Sequence, residues 1–482
     1  MLFLTCVFPP ASRAQSSPTS AAPVITVYTE GEYCTAGLSA DFEVAASGAD
    51  LTYQWDFNGQ PIAGATSPYY TIASVQLANS GAYTAIVTNP WGSVATPPAF
   101  LDVSEPSGYP SLSPNYSSFA AYTVSPGSTT VLTISATGGS PSSPLTYQWY
   151  YGATPLSDGN GVTGSQTASL ILTGSATRAG SYVCLFANGV GSFGSLPTTL
   201  TVDATDDTGR LINSSCRAPV GSGNNVLISG FVIGGGGTEG SEPILARVSG
   251  PALTASFGLT GTLPDPTLKL YKGSTVLGAN QGWAGNALIT AAANAAGAFP
   301  WTSPSSPDSA LLTSLGRGAY TVVAAGQSGD TGMALAEVYD VTPMGTYTPG
   351  MPRLVNISDR AQVGTGSSVL IAGFVIGGST SRTVLIRASG PALANTFGLA
   401  GTLSDPQLQL FDGSQQLASN SGWGGSAQIS STAASVSAFP WNNPSSMDSA
   451  ILITLPPGAY TAQVSGAAGD GGVALVEVYE VP

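Results

Sequence analysis

Short apolar segments separated by turn-forming residues run along the whole chain. The segment "NVLISGFVIGG" is apolar on both faces, whereas "PTLKLYKG" alternates apolar and polar residues before a glycine turn. The first pattern is typical of a strand buried on two faces, and the second of a strand buried on one. Only "NALITAAANAAGAF" contains enough alanine to predict a short helix, and its later counterpart "SAQISSTAASVSAF" predicts one less strongly. The pattern therefore predicts an all-β fold.

The C-terminal part of the chain contains a long internal duplication. "FGLTGTLPDPTLKLY" begins at Phe257, and "FGLAGTLSDPQLQLF" begins at Phe397, 140 positions later. Upstream, "FVIGG" recurs at Phe231 and Phe374 with an offset of 143, so three extra residues lie in the first copy's loop "GGGGTEGSEP". The duplicated unit is a whole domain rather than a solenoid repeat. We call the two copies repeat A (208–343) and repeat B (353–482).

The N-terminal half carries a different pair of related segments. "LTYQWDF" with "SGAYTAIV" lies within 22–104, and "LTYQWYY" with "AGSYVCLF" lies within 108–203. Both segments resemble bacterial immunoglobulin-like domains. The resemblance implies that Trp55 and Trp149 fill the space between two sheets, and that Tyr83 and Tyr182 form tyrosine corners. The inter-sheet disulfide of such domains is not expected, because Ala85 takes one cysteine position in the first segment.

The repeats resemble other extracellular modules. The pattern "DPxLxL…GAYTxxVxG" is similar to jelly-roll-like pre-peptidase C-terminal modules, and the whole copy resembles uncharacterised C-terminal repeats of verrucomicrobial-type surface proteins. Neither resemblance implies a reaction. We therefore expect four consecutive β-sandwich domains in an elongated arrangement, two immunoglobulin-like and two jelly-roll-like, after a signal-peptide remnant and linker at 1–21.

Composition and charge exclude several classes of function. Only 8% of the 482 residues are charged, and the net charge is −14. Nucleic acid is an unfavourable partner, because phosphate binding requires clustered Lys and Arg. The sequence contains no histidine, which excludes Ser-His-Asp triads and histidine-ligated zinc. With no other catalytic or phosphate-binding motif present, we expect no enzyme activity.

The first residues and the cysteines indicate the compartment. "MLFLTCVFPPASRAQ" contains a short apolar stretch followed by Ser12 and Ala14, small residues that suit a signal-peptidase site. We therefore expect secretion and no other membrane insertion. Cys34, Cys184 and Cys216 fall in three different predicted domains, so we expect them to remain unpaired.

Arginines recur in register between the repeats and interrupt apolar strands. Arg247 lies in "ILARVSG", and Arg387 lies in "VLIRASG". A buried guanidinium requires a carboxylate partner, and Glu337 and Glu477 recur in the same register. We expect two structural ion pairs, Arg247 with Glu337 and Arg387 with Glu477. The alternative interpretation is a clamp for an anion or a sugar.

Two further residue classes suggest ligands. Asp330 and Asp470 lie in Gly-Asp loops, which supply one carboxylate and several carbonyls to a calcium ion, although both residues also suit tight turns. No other cofactor is indicated. Trp91, Trp283 and Trp423 are candidates for stacking on sugar rings, although packing within the protein is the preferred interpretation for Trp283 and Trp423.

These features favour a secreted or cell-surface adhesion or scaffolding protein without catalytic activity. One alternative is a subunit that self-assembles into an extracellular fibre or sheath through exposed strand edges. Another alternative is a glycan-binding accessory module. The expected partners are therefore a protein or polysaccharide at the cell surface, or a second copy of the chain.

Overall fold

The structure, a computed structural model, describes residues 21–104, 108–113, 119–140, 143–205, 207–223, 225–366 and 368–482. The predicted signal peptide, with Ser12 and Ala14, lies outside the described residues. The all-β, multi-domain class is confirmed, because β-strands dominate the described chain and the four α-helices are short. No helix in the described ranges is long and apolar enough to cross a membrane.

The chain divides into two compact units. The first unit comprises the described parts of Met1–Ser111, Thr137–Leu145 and Ala187–Ser192, and the second comprises the described parts of Leu112–Ala136, Thr146–Phe186 and Phe193–Pro482. The second unit therefore contains most of the second immunoglobulin-like segment together with both repeats. The four predicted domain boundaries stay predictions.

The first immunoglobulin-like segment contains nine strands and one 3-10 turn at Leu77–Asn79. The strands are β1 Val24–Tyr28, β2 Gly31–Thr35, β3 Ala40–Ser47, β4 Thr52–Phe57, β5 Gln60–Pro61, β6 Tyr69–Ile72, β7 Gly81–Asn89, β8 Gly92–Ala95 and β9 Ala99–Ser104. They form one sheet in the order β1-β3-β6 and a second in the order β2-β9-β7-β4-β5, with β8 on β7. Alternate residues of β3 and β7 point inward and pack around Trp55.

The second immunoglobulin-like segment has the same plan, with a 3-10 turn at Ala176–Arg178. Its strands are β10 Ser111–Leu112, β11 Ala121–Val124, β12 Thr129–Thr133, β13 Ala136–Thr137, β14 Thr146–Tyr151, β15 Thr154–Pro155, β16 Val162–Thr163, β17 Ser169–Thr173, β18 Gly180–Ala187, β19 Ser192–Gly194 and β20 Thr198–Val202. The main sheets have the orders β11-β20-β18-β14-β15 and β12-β17-β16. Strand β12 is therefore an edge strand of the smaller sheet.

Sixteen strands form the two repeats. Repeat A contributes β21 Arg210–Val220, β22 Leu227–Gly234, β23 Ser241–Ser249, β24 Pro266–Lys272, β25 Thr275–Gln281, β26 Ser309–Gly316, β27 Gly318–Gly326 and β28 Gly332–Asp340. Repeat B contributes β29 Arg353–Val363, β30 Leu370–Gly377, β31 Arg382–Ser389, β32 Pro406–Asp412, β33 Gln415–Ser421, β34 Ser449–Leu455, β35 Gly458–Gly466 and β36 Gly472–Glu480. The helices are α1 Pro251–Phe257, α2 Ala287–Ala295, α3 Pro391–Phe397 and α4 Ala427–Ser435.

The sheets of the two repeats join edge to edge, so the repeats do not close two separate sandwiches. The first strand of repeat A, β21, pairs with β28 of its own repeat and with β30 of repeat B. The first strand of repeat B, β29, pairs with β36 of its own repeat and with β22 of repeat A. The result is two antiparallel sheets, β26-β23-β28-β21-β30-β35-β32-β33 and β25-β24-β27-β22-β29-β36-β31-β34. Each sheet therefore takes half of its strands from each repeat.

The first strands of the two repeats, β21 and β29, cross at the centre of this arrangement. Leu211 of β21 pairs with Leu354 of β29, and this bridge connects the two sheets. Buried residues of both repeats, including Phe231 and Phe374, belong to one hydrophobic core. A single core shared between two sheets predicts that the repeats fold and unfold together.

Capping residues explain the four helices, of which the sequence pattern clearly predicted only α2. The Asn286 side chain accepts hydrogen bonds from the backbone N–H groups of Leu288 and Ile289, at 2.9 and 3.3 Å, and begins α2. The buried Asp308 carboxylate accepts from Gly250 and Ala252 at the start of α1, with Oδ1 2.7 Å from the Gly250 nitrogen. Repeat B uses Ser426 and Asp448 in the same two ways.

We expect Phe231→Ala and Phe374→Ala to destabilise the same unfolding transition. Each side chain is buried in the shared core, and each truncation should cost about 3–5 kcal/mol. Differential scanning calorimetry of the full chain should show one transition for the repeats that moves in both variants. Two transitions, each moved by only one of the substitutions, would contradict the shared core.

Candidate functional site: the arginine–aromatic clusters and the repeat B edge

The immunoglobulin-like core residues occupy the positions that the resemblance implies. Trp55 is buried, and its Nε1 donates to the Ser67 carbonyl oxygen at 3.0 Å. The Tyr83 hydroxyl donates to the Asn79 carbonyl at 2.9 Å, and burial raises the pKa of Tyr83 to about 12. A neutral phenol that donates to the backbone is the interaction of a tyrosine corner.

The second domain repeats this arrangement. Trp149 donates to the Thr167 carbonyl at 2.9 Å, and the Tyr182 hydroxyl donates to the Arg178 carbonyl at 2.8 Å. Burial raises the pKa of Tyr182 to about 12 and that of the free thiol Cys184 to about 12. A thiol with such a raised pKa stays protonated and inert at neutral pH.

In repeat A, Arg247 lies at the centre of a buried cluster. Arg247 is directly opposite Glu337 in the β23–β28 ladder, and its Nε lies 3.3 Å from Glu337 Oε2. The Tyr339 hydroxyl donates to Glu337 Oε1 at 2.6 Å. On the other side, the guanidinium carbon lies 4.3 Å from the Trp301 ring centroid and 4.7 Å from that of Phe299.

Repeat B contains the same cluster in the same register. Arg387 Nε lies 3.6 Å from Glu477 Oε2, and the Tyr479 hydroxyl donates to Glu477 Oε1 at 2.6 Å. The guanidinium carbon of Arg387 is 4.3 Å from the centroid of Trp441. Each cluster therefore combines an ion pair, a tyrosine and a stacked tryptophan.

The clusters are closed to ligands of ordinary size. Burial raises the pKa of Glu337 although Arg247 opposes this shift, and the same holds for Glu477 beside Arg387. The cavity beside Arg247, lined also by Trp283 and Trp301, has a volume of about 30 Å³. This is about the volume of one water molecule, so the cavity does not admit a sugar ring. Holding β23, β28 and the loop before β26 together is the role that this geometry supports.

The three candidate tryptophans differ in exposure. Trp283 and Trp423 are only 6% and 7% exposed, and each packs edge-on against a second tryptophan at 5.5 or 5.6 Å between ring centroids. This burial leaves no ring face for a sugar to stack on. Trp91, at the turn between β7 and β8, is 46% exposed. We therefore keep the sugar-contact hypothesis for Trp91 alone.

Asp330 and Asp470 lie in matching turns. A methyl group added at Gly326 would lie 2.2 Å from the Asp330 carbonyl oxygen, so the turn is closely packed. Asp470 Oδ2 accepts a hydrogen bond from Ser404 Oγ. Within the described ranges, no group of three or more His, Cys, Asp or Glu residues has a geometry that would hold a metal ion. Turn formation accounts for both aspartates.

A third buried charge cluster surrounds the crossing of β21 and β29. Glu480 Oε1 accepts from the Leu211 backbone N–H at 2.8 Å, and its Oε2 accepts from Arg353 Nε at 2.8 Å and Arg382 Nη2 at 3.1 Å. The alignment of the repeats places Glu242 of repeat A at the position of Arg382. Among the described residues, the buried ion-paired carboxylate at the crossing, Glu480, thus belongs to repeat B.

Glu242 is buried without an ion pair among the described residues. Burial raises its pKa to about 9, with Asp340 and Glu480 adding to the shift and Arg210 opposing it. Neither carboxyl oxygen of Glu242 makes a hydrogen bond of normal geometry in the described chain. The nearby Leu354 N–H also opposes the rise in the pKa of Glu242. Glu242 therefore stays protonated in the folded protein at neutral pH.

The second immunoglobulin-like domain docks on repeat B within the second unit. Thr129 N–H of the edge strand β12 donates to the Pro482 carbonyl at 3.1 Å, and Val131 N–H donates to Thr454 Oγ1 at 2.6 Å. The Ser381 N–H donates to the Thr123 carbonyl at 2.6 Å. Phe119 packs against the hydrophobic core that the repeats share. We call the surface of Gln416, Leu417, Ile451 and Leu452, on the terminal strands β33 and β34, the repeat B edge.

The first immunoglobulin-like domain carries an open groove. Glu30, Tyr33, Phe100 and Asp102 line it, with other residues of β2 and β9, and its volume is about 480 Å³. The side chains of Tyr33 and Phe100 are largely exposed. Aromatic rings beside carboxylates suit the binding of a cationic or hydroxyl-rich partner. This groove could not be predicted from the sequence, because the residues that line it form no motif.

Comparisons with known proteins add little. No family model matches the chain, and no curated protein matches it by sequence. Among solved structures, the tandem Ig repeats of Dlar are 22% identical, with 38% of this chain and 98% of that chain covered and a TM-score of 0.19. The N-terminal Ig1-2 module of the Drosophila receptor protein tyrosine phosphatase DLAR is 21% identical, with the same coverage and TM-score. The insect immune protein hemolin is 18% identical, with 39% and 49% covered and a TM-score of 0.19.

The two Dlar structures are tandem immunoglobulin modules. At such identities and TM-scores, their likeness carries no argument about the function of this chain. The resemblances predicted for the repeats stay predictions.

We expect Arg247→Met to destabilise the protein by about 3–5 kcal/mol, because it leaves the Glu337 carboxylate buried without its cation. The loss should increase as the pH rises through the folded-state pKa of wild-type Glu337, which burial raises above that of the unfolded chain. Above this pH the wild-type carboxylate is ionised beside Arg247, whereas the buried carboxyl of the variant still holds its proton. Urea unfolding at pH 5 and pH 8 measures both effects.

Arg247→Met/Glu337→Gln serves as the matched control, and it should recover part of the loss at pH 8. A double variant no more stable than Arg247→Met would show that the ion pair does not support the cluster.

Glu242→Gln should stabilise the protein at pH 8 and change little at pH 4. A carboxyl whose pKa rises from 4.5 in the unfolded chain to about 9 in the folded one binds more protons when folded. Its contribution to stability is therefore full below pH 4.5 and falls by about 1.4 kcal/mol per pH unit up to about pH 9. Unfolding curves of both proteins between pH 4 and pH 9 give the difference.

Burial also raises the pKa of Asp359 to about 7. Because Asp359 is present in both proteins, its contribution to the pH dependence of stability cancels in this comparison. Glu480→Gln is the opposite control, and it should destabilise because it breaks two ion pairs. A Glu242→Gln difference that does not depend on pH would contradict the assignment.

Proposed function

We propose that the protein is a secreted or cell-surface adhesion and scaffolding protein without catalytic activity. The groove on the first immunoglobulin-like domain carries this proposal, because large exposed aromatic side chains mark interaction surfaces. Tyr33 and Phe100 supply apolar area, and Glu30 and Asp102 supply charge at its border. The partner is a protein at the cell surface that presents basic and apolar side chains.

The repeats support the scaffolding part of the proposal. Their recurring charged residues are engaged inside the fold, Arg247 and Arg387 with carboxylates and Asp308 and Asp448 with helix N-termini. Backbone and hydroxyl hydrogen bonds fasten the second immunoglobulin-like domain to repeat B. A large cooperative unit that holds another domain through contacts at the edges of its sheets is suited to presenting that domain to a partner.

A glycan-binding accessory role is the second candidate, and the exposure of Trp91 favours it. A ring on a hairpin turn is accessible for stacking on a sugar. Trp91 lies outside the residues that line the groove, so substitutions separate the two roles. Secretion through the N-terminal signal remains part of the proposal, and the extracellular location follows from it.

Binding of the full chain to intact cells of the producing organism, measured by flow cytometry, tests the proposal. We expect Tyr33→Ala/Phe100→Ala to weaken binding at least tenfold, with an unchanged melting temperature because both rings are exposed. Trp91→Ala serves as the matched control and should bind normally.

A glycan array with the same proteins separates the two roles. Sugar binding that Trp91→Ala abolishes would favour the glycan-binding role instead. Cell binding that Tyr33→Ala/Phe100→Ala leaves unchanged, or hydrolysis of any arrayed glycan, would contradict the adhesion proposal.

A further inference from the structure

The repeats align without gaps from Ser249 and Ser389 onward, so their surfaces can be compared position by position. The residues of repeat A that align with the repeat B edge are Val276, Leu277, Leu311 and Leu312, which we call the repeat A edge. In repeat B, Leu417 and Ile451 are each only 7% exposed, and Phe119 packs against the core that contains them. In repeat A, Val276, Leu277 and Leu312 are 50%, 47% and 40% exposed. The apolar side chains of this surface are therefore buried in repeat B and exposed in repeat A.

The open surface lies where both sheets end. Strand β25 is the last strand of one sheet and β26 is the last strand of the other. They run close together, because a methyl group added at Gly278 of β25 would lie 3.2 Å from Leu311 Cδ1 of β26. Edge strands with exposed apolar side chains favour association with another β-structure.

The sequence of these edges lacks the usual protection against association. Strands β25 (TVLGANQ) and β26 (SALLTSLG) contain no charged residue and no proline. At the position of Val276, repeat B has the polar Gln416. Two copies of the repeat A edge meet without repulsion between like charges, although the chain has a net charge of −14.

An immunoglobulin-like domain cannot dock on repeat A in the way that the second immunoglobulin-like domain docks on repeat B. The hydroxyl groups of Thr383 and Thr454 contact β12, through the Thr129 carbonyl and the Val131 N–H. Their aligned positions in repeat A are Pro243 and Ser314, and proline has no hydroxyl to contribute.

The neighbouring loop also differs between the repeats. The three-residue insertion of repeat A falls in the loop that carries Thr380 and Ser381 in repeat B, which contact Ser125 and Thr123. In repeat A this loop packs on its own chain, where Glu239 N–H donates to the Gly350 carbonyl at 3.1 Å. Only the apolar part of the docking surface is retained.

We propose that the repeat A edge is a homodimer interface, which a second copy of this chain covers with its own repeat A edge about a twofold axis. A twofold arrangement matches an uncharged apolar surface with itself and buries all four side chains on both copies. The proposal goes beyond the adhesion role and does not depend on it, because the groove of the first domain belongs to the other compact unit.

Sedimentation velocity of the full chain between 1 and 100 μM tests the interface. We expect a concentration-dependent dimer of twice the 48.2 kDa chain mass. Val276→Asp and Leu312→Asp should each raise the dissociation constant at least tenfold, because dimerisation would bury an unpaired carboxylate. Leu288→Asp is the matched control, since Leu288 is 70% exposed on α2 outside the repeat A edge, and it should leave the dimer unchanged.

Hydrogen exchange locates the contact independently of the variants. Amides of β25 and β26 should gain protection as the concentration rises, whereas those of β33 and β34 should not. A wild-type protein that stays monomeric at 100 μM, a dimer that Leu312→Asp leaves intact, or open-ended polymers would each overturn the proposal. Cell binding by the monomeric Leu312→Asp variant would show that the adhesion role stands apart from the dimer.

Discussion

The pairing of the first strand of each repeat with the second strand of the other is the constraint on which the C-terminal structure depends. Strand β21 bonds to the last strand of its own repeat on one edge and to the second strand of repeat B on the opposite edge. Strand β29 bonds in the same way to the last strand of its own repeat and to the second strand of repeat A. Both eight-stranded sheets and the core between them therefore contain residues of both repeats, so the arginine clusters and capped helices are built on one shared framework.

This shared framework explains how two related sequences reach different environments. At the crossing, repeat B places Arg382 beside Glu480, whereas repeat A places Glu242 at the aligned position and keeps it protonated. At the ends of the sheets, the second immunoglobulin-like domain docks on repeat B, where Leu417 and Ile451 are buried, and the aligned surface of repeat A is exposed. The two copies share one fold, and their substitutions with one short insertion give each copy a separate surface.

Part of this structure could be predicted from local sequence. The pattern around Trp55 and Tyr83 predicted the first β-sandwich. The ion pair between Arg247 and Glu337 could be predicted because Arg247 interrupts an apolar strand and an acidic residue recurs in the same register of both repeats. The pairing between the repeats could not be predicted, because "LISGFVIGG" and "LIAGFVIGG" offer β21 nearly identical partners. Helix α1 was missed because its capping carboxylate, Asp308, lies more than fifty residues away. The Ig-like groove was missed because β2 and β9 are distant in sequence.

Hydrogen exchange of the backbone amides in β21 and β29 tests the pairing between the two repeats most directly. Both strands are paired on two edges across the shared sheets, so most of their amides should exchange only through global unfolding, as slowly as any in the repeats. The terminal strands β25, β26, β33 and β34 should exchange faster. If β21 and β29 instead exchange as fast as these terminal strands, the two repeats do not share their sheets, and the account is wrong.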